Sequence, residues 1–273
     1  RLVHAGDGLC GQRSGGLLQP FQGRGVRMDT VVCGAALVGF GFGHGDKPAS
    51  SGCVRVPPGR HWGLLGASGP GATVVRVTTE VRRAAERYRG GDAAAGITSW
   101  HAFSFGPHYD PDNLRFGALI ACNEERLAPG AGFDEHPHSH TEIVTWVVEG
   151  ELTHRDSTGH ETVVRPGDLQ HLSAADGVRH VERNGTGAPV TFVQMWLTPL
   201  RPGGAPRYEL VRGVGDSAPY DVPEAGARLH VRRPAAGERT AVPDAAYVYI
   251  HVVRGEVRLG EDRLGPGDAA RIT

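Results

Sequence analysis

HPHSHTEIVTWVVEGELTHRDSTGHETVVRPGDLQHLSAADGVRHVERN, His136 to Asn184, is the stretch whose reading decides the fold. Thr141–Val148 (TEIVTWVV) is rich in β-branched and aromatic residues, which suit a pleated, half-buried surface, and Gly150 ends it. Glu151–His154, a Ser-Thr-Gly turn, Glu161–Arg165, the tight turn Pro166-Gly167-Asp168, Leu169–Ser173 and Val178–Arg183 follow at short intervals. Working outward, Val190–Leu197 (VTFVQMWL) continues the series, and Val74–Val81, Trp100–Phe105 and Phe116–Asn123 precede it. Arg82–Arg89 reads as a short polar helix. Short strands broken by turn residues predict an all-β sandwich or barrel.

From about Tyr208 the texture repeats. Ala245–Val253, Arg254-Gly255, Val257–Leu259 and Pro266-Gly267-Asp268 echo Thr141–Gly150 and Pro166-Gly167-Asp168, and VVRGEV stands where VVEGEL stood. Two β-barrel units related by duplication are therefore expected, over 73–200 and 201–273. The second ends soon after its PGD turn and is read as lacking its last strands. Residues 1–72 are Gly/Ser/Pro-rich with no sustained period, and are expected to lie outside the fold as a low-complexity, disordered extension.

The bulk numbers exclude more than they specify. A 273-residue chain with 39% hydrophobic residues can bury a real core. Its net charge is −1, with +4 in residues 1–72 and −5 in the remainder, so there is no basic stripe for direct nucleic-acid contact. No apolar run reaches the roughly 20 residues of a membrane span. Four cysteines without a CxxC spacing give neither a disulfide framework nor a thiolate zinc site, which points to the cytoplasm.

The chemistry sits in two same-face pairs. In a strand, residues i and i+2 point the same way, so His136 and His138 project together, as do His180 and Glu182 beyond the PGD turn. Three imidazoles and one carboxylate suit one ion of Fe(II), Mn, Ni, Cu or Zn and leave open positions on it. His140 and Glu142 keep the parity of His136 if the strand runs on regularly. His154 and Asp156 read as a hydrogen-bonded strand pair. Trp146, Trp196, Phe103, Phe105 and Met195 read as core, and His101 and His108 as candidates for the barrel mouth. No nucleophile elbow, phosphate loop or dinucleotide fingerprint appears.

SWHAFSFGPHYDP (99–111), the APGAGF–HPH run (128–138), EIVTWVVEGEL (142–152), HRDSTG (154–159), RPGDLQ (165–170) and HVERN (180–184) together resemble the pirin family of cupins, in order and at family spacing. The resemblance implies a bicupin whose first unit holds one divalent metal ion, Fe(II) foremost, on His136, His138, His180 and Glu182, and whose second unit is metal-free. It departs at His140, where relatives usually carry a larger apolar residue, and at His171, which follows PGDLQ and reads as a core residue or a hydrogen-bond partner to the site, with a ligand role as the alternative.

Two functions follow from the resemblance. The first is a quercetin 2,3-dioxygenase-like oxidoreductase that opens a planar phenolic, flavonol-like substrate with O2, Glu182 serving as ligand or base. The second is a metal- and redox-dependent regulator acting through protein partners.

Overall fold

In the computed structural model the described residues are 77–214, 219–243 and 245–273, with the backbone of two earlier strands, β1 (Leu17–Pro20) and β2 (Thr30–Gly34). The chain continues through β3 (Thr79–Arg82), β4 (Tyr88–Gly90), β5 (Ile97–His101), β6 (Leu119–Leu127), β7 (Gly132–His138), β8 (Glu142–Glu149) and β9 (Leu152–Asp156). It goes on with β10 (Glu161–Val164), β11 (Leu169–Ser173), β12 (Val178–Arg183), β13 (Val190–Leu197) and β14 (Arg207–Val211). The last strands are β15 (Tyr220–Val222), β16 (Ala227–Arg232), β17 (Thr240–Ala241), β18 (Val248–Val252), β19 (Val257–Leu259), β20 (Asp262–Leu264) and β21 (Ala269–Ile272).

Helix among the described residues is limited to 3-10 turns at Ala84–Glu86, Pro111–Asn113 and Pro223–Ala225. The polar stretch read as a helix over Arg82–Arg89 forms only the first of these, and Tyr88 already begins a strand. The strand read at Trp100–Phe105 runs instead over 97–101, where Ile97, Ser99 and His101 alternate inward.

All pairings are antiparallel. One unit combines a seven-stranded sheet, β14-β11-β8-β13-β6-β5-β4, with a four-stranded one, β10-β9-β12-β7. The other combines a six-stranded sheet, β15-β16-β2-β18-β21-β3, with β17-β1-β19-β20. The two units match strand by strand: β8, β9, β10 and β11 correspond to β18, β19, β20 and β21.

The two PGD turns carry the same wiring. Gly167 N–H donates to Val147 O (2.9 Å) and Val147 N–H to Asp168 O (3.2 Å); Gly267, Val252 and Asp268 repeat both bonds at 2.7 and 3.0 Å. Each turn needs its glycine, with φ +86° at Gly167 and +83° at Gly267. The duplication read from the sequence is thus present in the backbone bonding.

Two features go beyond the sequence reading. Strand β3 closes the second unit's sheet beside β21, while β14 joins the first unit's beside β11. The units therefore exchange a strand, and boundaries along the chain do not coincide with boundaries in space. Next, β1 lies between β19 and β17, and β2 between β18 and β16. These are the places that β12 and β13 hold in the first unit. Two strands of the segment expected to stand outside the fold are hence paired into the second unit; the rest of 1–72 lies outside the described residues.

The largest apolar cluster is at the junction of the units. Trp146, Val144, Val193 and Met195 from the first pack against Leu229, Val231, Tyr249 and Ala269 from the second. The barrel interiors hold separate cores, around Phe192, Leu127 and Leu152 in the first and around Ile250, Val252 and Leu264 in the second. Phe103, Trp146 and Met195 are fully buried, as expected.

Candidate metal centre

Strands β7 and β12 lie side by side with His136 directly opposite His180, and His138 opposite Val178. That register turns two sequence-distant pairs into one cluster. The rings of His136, His138 and His180 stand 4.4–4.8 Å apart, centroid to centroid. His136 Nε2 is 3.0 Å from His180 Nε2. His136 Nδ1–H donates to Asp134 O (2.6 Å), which leaves its Nε2 as a bare lone pair. His138 Nε2 is buried without a hydrogen-bond partner among the described residues.

Three imidazoles that converge with one bare lone pair and one buried Nε2 that finds no partner among the described residues fit a cation. Burial, with His180 and His136 nearby, pushes His138 down to about 4. Burial likewise pushes His180 down to about 4, against the opposing pull of Glu182. Both rings are neutral at physiological pH, the state in which imidazole ligates a metal.

Glu182 is set slightly apart. A register shift between His180 and Glu182 marks a β-bulge. Its carboxylate is fully buried, and both oxygens accept amide protons: Oε1 from Gln170 Nε2 (2.7 Å), Oε2 from Gln194 Nε2 (2.8 Å). Burial works to raise its pKa, but His180, His154 and the Gln194 amide outweigh it and hold the group below the usual carboxylate range.

The structure brings His136, His138 and His180 to one point, their ligand atoms within 4.8 Å of one another, and groups Glu182 with His180 and His154 in the same sense. His180 is the shared member. His154 Nε2–H donates to Asp156 Oδ2 (3.1 Å), the strand pair read from the sequence, and its Nδ1 lies 3.5 Å from His180 Nδ1.

The remaining candidates fall elsewhere. His140 does not keep the parity of His136. Strand β7 stops at His138, and His140 takes the left-handed region at φ +53°, its N–H donating to Ala175 O (2.8 Å), with its side chain exposed. Glu142 starts a new strand and bonds His171 and Ser173 instead of the cluster. His171 is thereby committed to Glu142, away from the histidine triad.

Four side chains near the triad escaped the reading of the sequence. Gln170 and Gln194 hold Glu182. Trp196 and Phe105, read as core, are only half-buried: Trp196 meets His138 edge-on at 4.9 Å, and Phe105 meets Trp196 at 5.0 Å. Trp196 Nε1–H also donates to Gln194 Oε1 (3.0 Å), tying the aromatic wall to the amide that holds Glu182. A lone glutamine inside the apolar run VTFVQMWL was the available signal, because a buried amide needs partners.

His101 is buried on β5 and stacks on Phe105 (4.7 Å), while His108 stacks on Tyr88 (5.1 Å). Deeper in the barrel, burial pushes Glu125 up to about 8, with Ser99 Oγ–H donating to it and Glu182 adding repulsion.

Comparison with known proteins agrees with this architecture. The family profile described as Pirin matches residues 79–197. A Mycobacterium tuberculosis H37Rv protein with a provisional quercetin 2,3-dioxygenase name is 40% identical over 218 residues, covering 72% of this chain and 87% of its own. The Escherichia coli K12 protein named quercetin 2,3-dioxygenase is 41% identical over 131 residues, 47% of this chain and 55% of that one. Among solved structures, the E. coli pirin YhhW in complex with nickel(II) superposes with TM-score 0.62 at 30% identity, covering 71% of this chain and 89% of its own. An Acinetobacter baumannii quercetin 2,3-dioxygenase shares the fold at TM-score 0.51 and 21% identity, covering 71% and 78% of the respective chains. The fold, the paired histidine strands and these relatives together establish that this chain belongs to the pirin family.

Proposed function

We propose that the first unit binds one divalent metal ion and acts as a dioxygenase on a planar phenolic substrate of the flavonol type. The observation that carries the metal is the convergence of three imidazoles, one with an orphaned buried Nε2 and one with its other nitrogen already spent on a carbonyl. His136, His138 and His180 hold the ion, and Glu182 is the fourth donor within reach of His180. The dioxygenase activity is carried over from the names of the relatives, and the nickel(II) complex of the E. coli pirin supports metal binding in this family.

When bound, the ion supplies a Lewis-acid centre of N-rich donor set, Fe(II) foremost, with positions left for substrate oxygen and O2. The chain's own residues do the rest. Trp196 and Phe105 form an aromatic wall beside His138 against which a flat ring can lie. Glu182, ionised and held by two amides, accepts the proton of the substrate hydroxyl at whichever oxygen its amide releases. The carboxylate is buried, as are the Gln170 and Gln194 side chains that hold it.

The test is anaerobic metal loading followed by oxygen-uptake and CO measurements with a flavonol. The expected result is turnover by the loaded protein that is lost in His138→Ala. A protein that binds the ion tightly and consumes no oxygen with any flavonol or related phenol overturns the enzymatic half of the proposal.

A further inference from the structure

A second group of ligand-type side chains lies at the junction of the two units, away from the metal centre. Glu142 opens β8, His171 sits on β11, and Glu224 belongs to the 3-10 turn Pro223–Ala225 of the other unit. Each offers a ligand-type atom, and the three atoms lie within 4.8 Å of one another. Glu142 and His171 are 1% and 3% exposed.

The hydrogen bonds around them fix where protons are. Tyr220 O–H donates to Glu209 Oε2 (2.8 Å), a carboxylate that only accepts. Having spent its one proton there, the Tyr220 oxygen accepts from His171 Nδ1–H, 2.9 Å away. His171 Nε2 then faces Glu142 Oε2 at 2.7 Å as a lone pair against a carboxylate, a contact that demands a cation, whether proton or metal. Glu142 Oε1 accepts from Ser173 Oγ (3.0 Å). On the far side, one oxygen of Glu224 is paired with Arg207, while Oε2 is buried and accepts no hydrogen bond from any described residue.

Three ligand-type side chains thus converge, and one of them carries a buried oxygen without a partner among the described residues. A proton on His171 serves the Glu142 contact alone and leaves Glu224 Oε2 bare, at the cost of an unsatisfied buried charge-bearing atom. One divalent cation serves all three. An imidazole whose other N–H is pinned by an oxygen is the arrangement that orients a ligating histidine. A cleft of about 460 Å3 lies against His171, lined also by Ser173, Arg207 and Glu209. We propose that Glu142, His171 and Glu224 form a second divalent-cation site that ties the two units together. One nitrogen and two carboxylates suit Mn(II), Fe(II) or Zn(II).

The test uses the full chain, stripped with chelator, with the first site removed by H136A/H138A. Mn(II) is the probe because thiolates select softer ions, and free Mn(II) is counted by electron paramagnetic resonance. The expected result is one Mn(II) retained per chain, a rise in Tm on adding it, and at least tenfold weaker binding when Glu224→Gln or His171→Ala is added. Glu224 is half-buried in a turn, so its variant keeps the test valid if His171→Ala fails to fold. No retained Mn(II), or binding that Glu224→Gln leaves unchanged and that is therefore an adventitious ion only, overturns the proposal. Neither outcome bears on the first site.

Discussion

Buried titratable side chains set the pH response of this protein one residue at a time. Glu125, pushed up to about 8 from an ordinary 4.5, stays protonated in the folded chain while the unfolded chain ionises. Its contribution is therefore whole below about pH 4.5 and is lost as pH rises toward 8, at up to about 1.4 kcal/mol per pH unit. Glu125→Gln keeps a partner for Ser99 and cannot ionise. It is expected to stabilise the protein at pH 8 by on the order of 1–3 kcal/mol and to be near neutral at pH 4.5. Urea unfolding at the two pH values checks this; an equal effect at both pH values would contradict it.

His138 and His180 act in the opposite window. Both are lowered to about 4, so the unfolded chain takes up protons that the folded metal-free chain refuses. Stability of the metal-free protein is expected to fall as pH drops from about 6.5 to about 4. Each contributes at most about 1.4 kcal/mol per pH unit, and His138, partly exposed, contributes less. His138→Ala should flatten part of that slope in acid titrations followed by circular dichroism. An unchanged slope would mean that the imidazole is not held neutral.

At the scale of elements, the clearest dependence is between β7 and β12. A Cβ on Gly132 would lie 2.4 Å from Glu182 O and 2.7 Å from Arg183 Cα, both backbone atoms that cannot step aside. Gly132→Ala is expected to push the strands apart where the bulge seats Glu182. The cost is about 1–3 kcal/mol of stability and a loss of metal affinity, since His136 and His180 face each other across the same pair. Equilibrium dialysis with the variant decides it, the adverse outcome being wild-type affinity.

The same strands show why part of the site was legible in the sequence and part was not. The period of two predicts that His136 joins His138, and His180 joins Glu182, because a regular strand fixes which side chains share a face. It fails at His140, where the strand has already ended and the residue takes positive φ; Glu182 keeps its face with His180 although a bulge shifts its pairing to β7. Trp196 and Phe105 read as core because an aromatic in an apolar run carries no mark of lining a site instead of packing on a neighbour. Gln194 carried such a mark.

For the whole molecule, the decisive question is what completes the second unit. In the first, β13 bridges β6 and β8, and β12 bridges β7 and β9; in the second, β2 and β1 hold those places although they come from the opposite end of the chain. Strand β2 alone contributes ladders to both β16 and β18, with Val32 opposite His230 and Ile250. Without it those two strands face each other across an empty lane and expose unpaired N–H and C=O groups. Deleting residues 1–72 is therefore expected to lower the unfolding temperature and to open the amides of β16 and β18 to hydrogen exchange. Metal binding at His136, His138 and His180 should persist, because every strand carrying that triad and its supporting glutamines lies in the first unit. Val32→Pro, which removes one ladder N–H in mid-strand, should reproduce the exchange pattern more mildly. If the shortened chain melts at the same temperature with the same protected amides, the leading segment contributes nothing to the fold, and the reading of it as an outside extension stands.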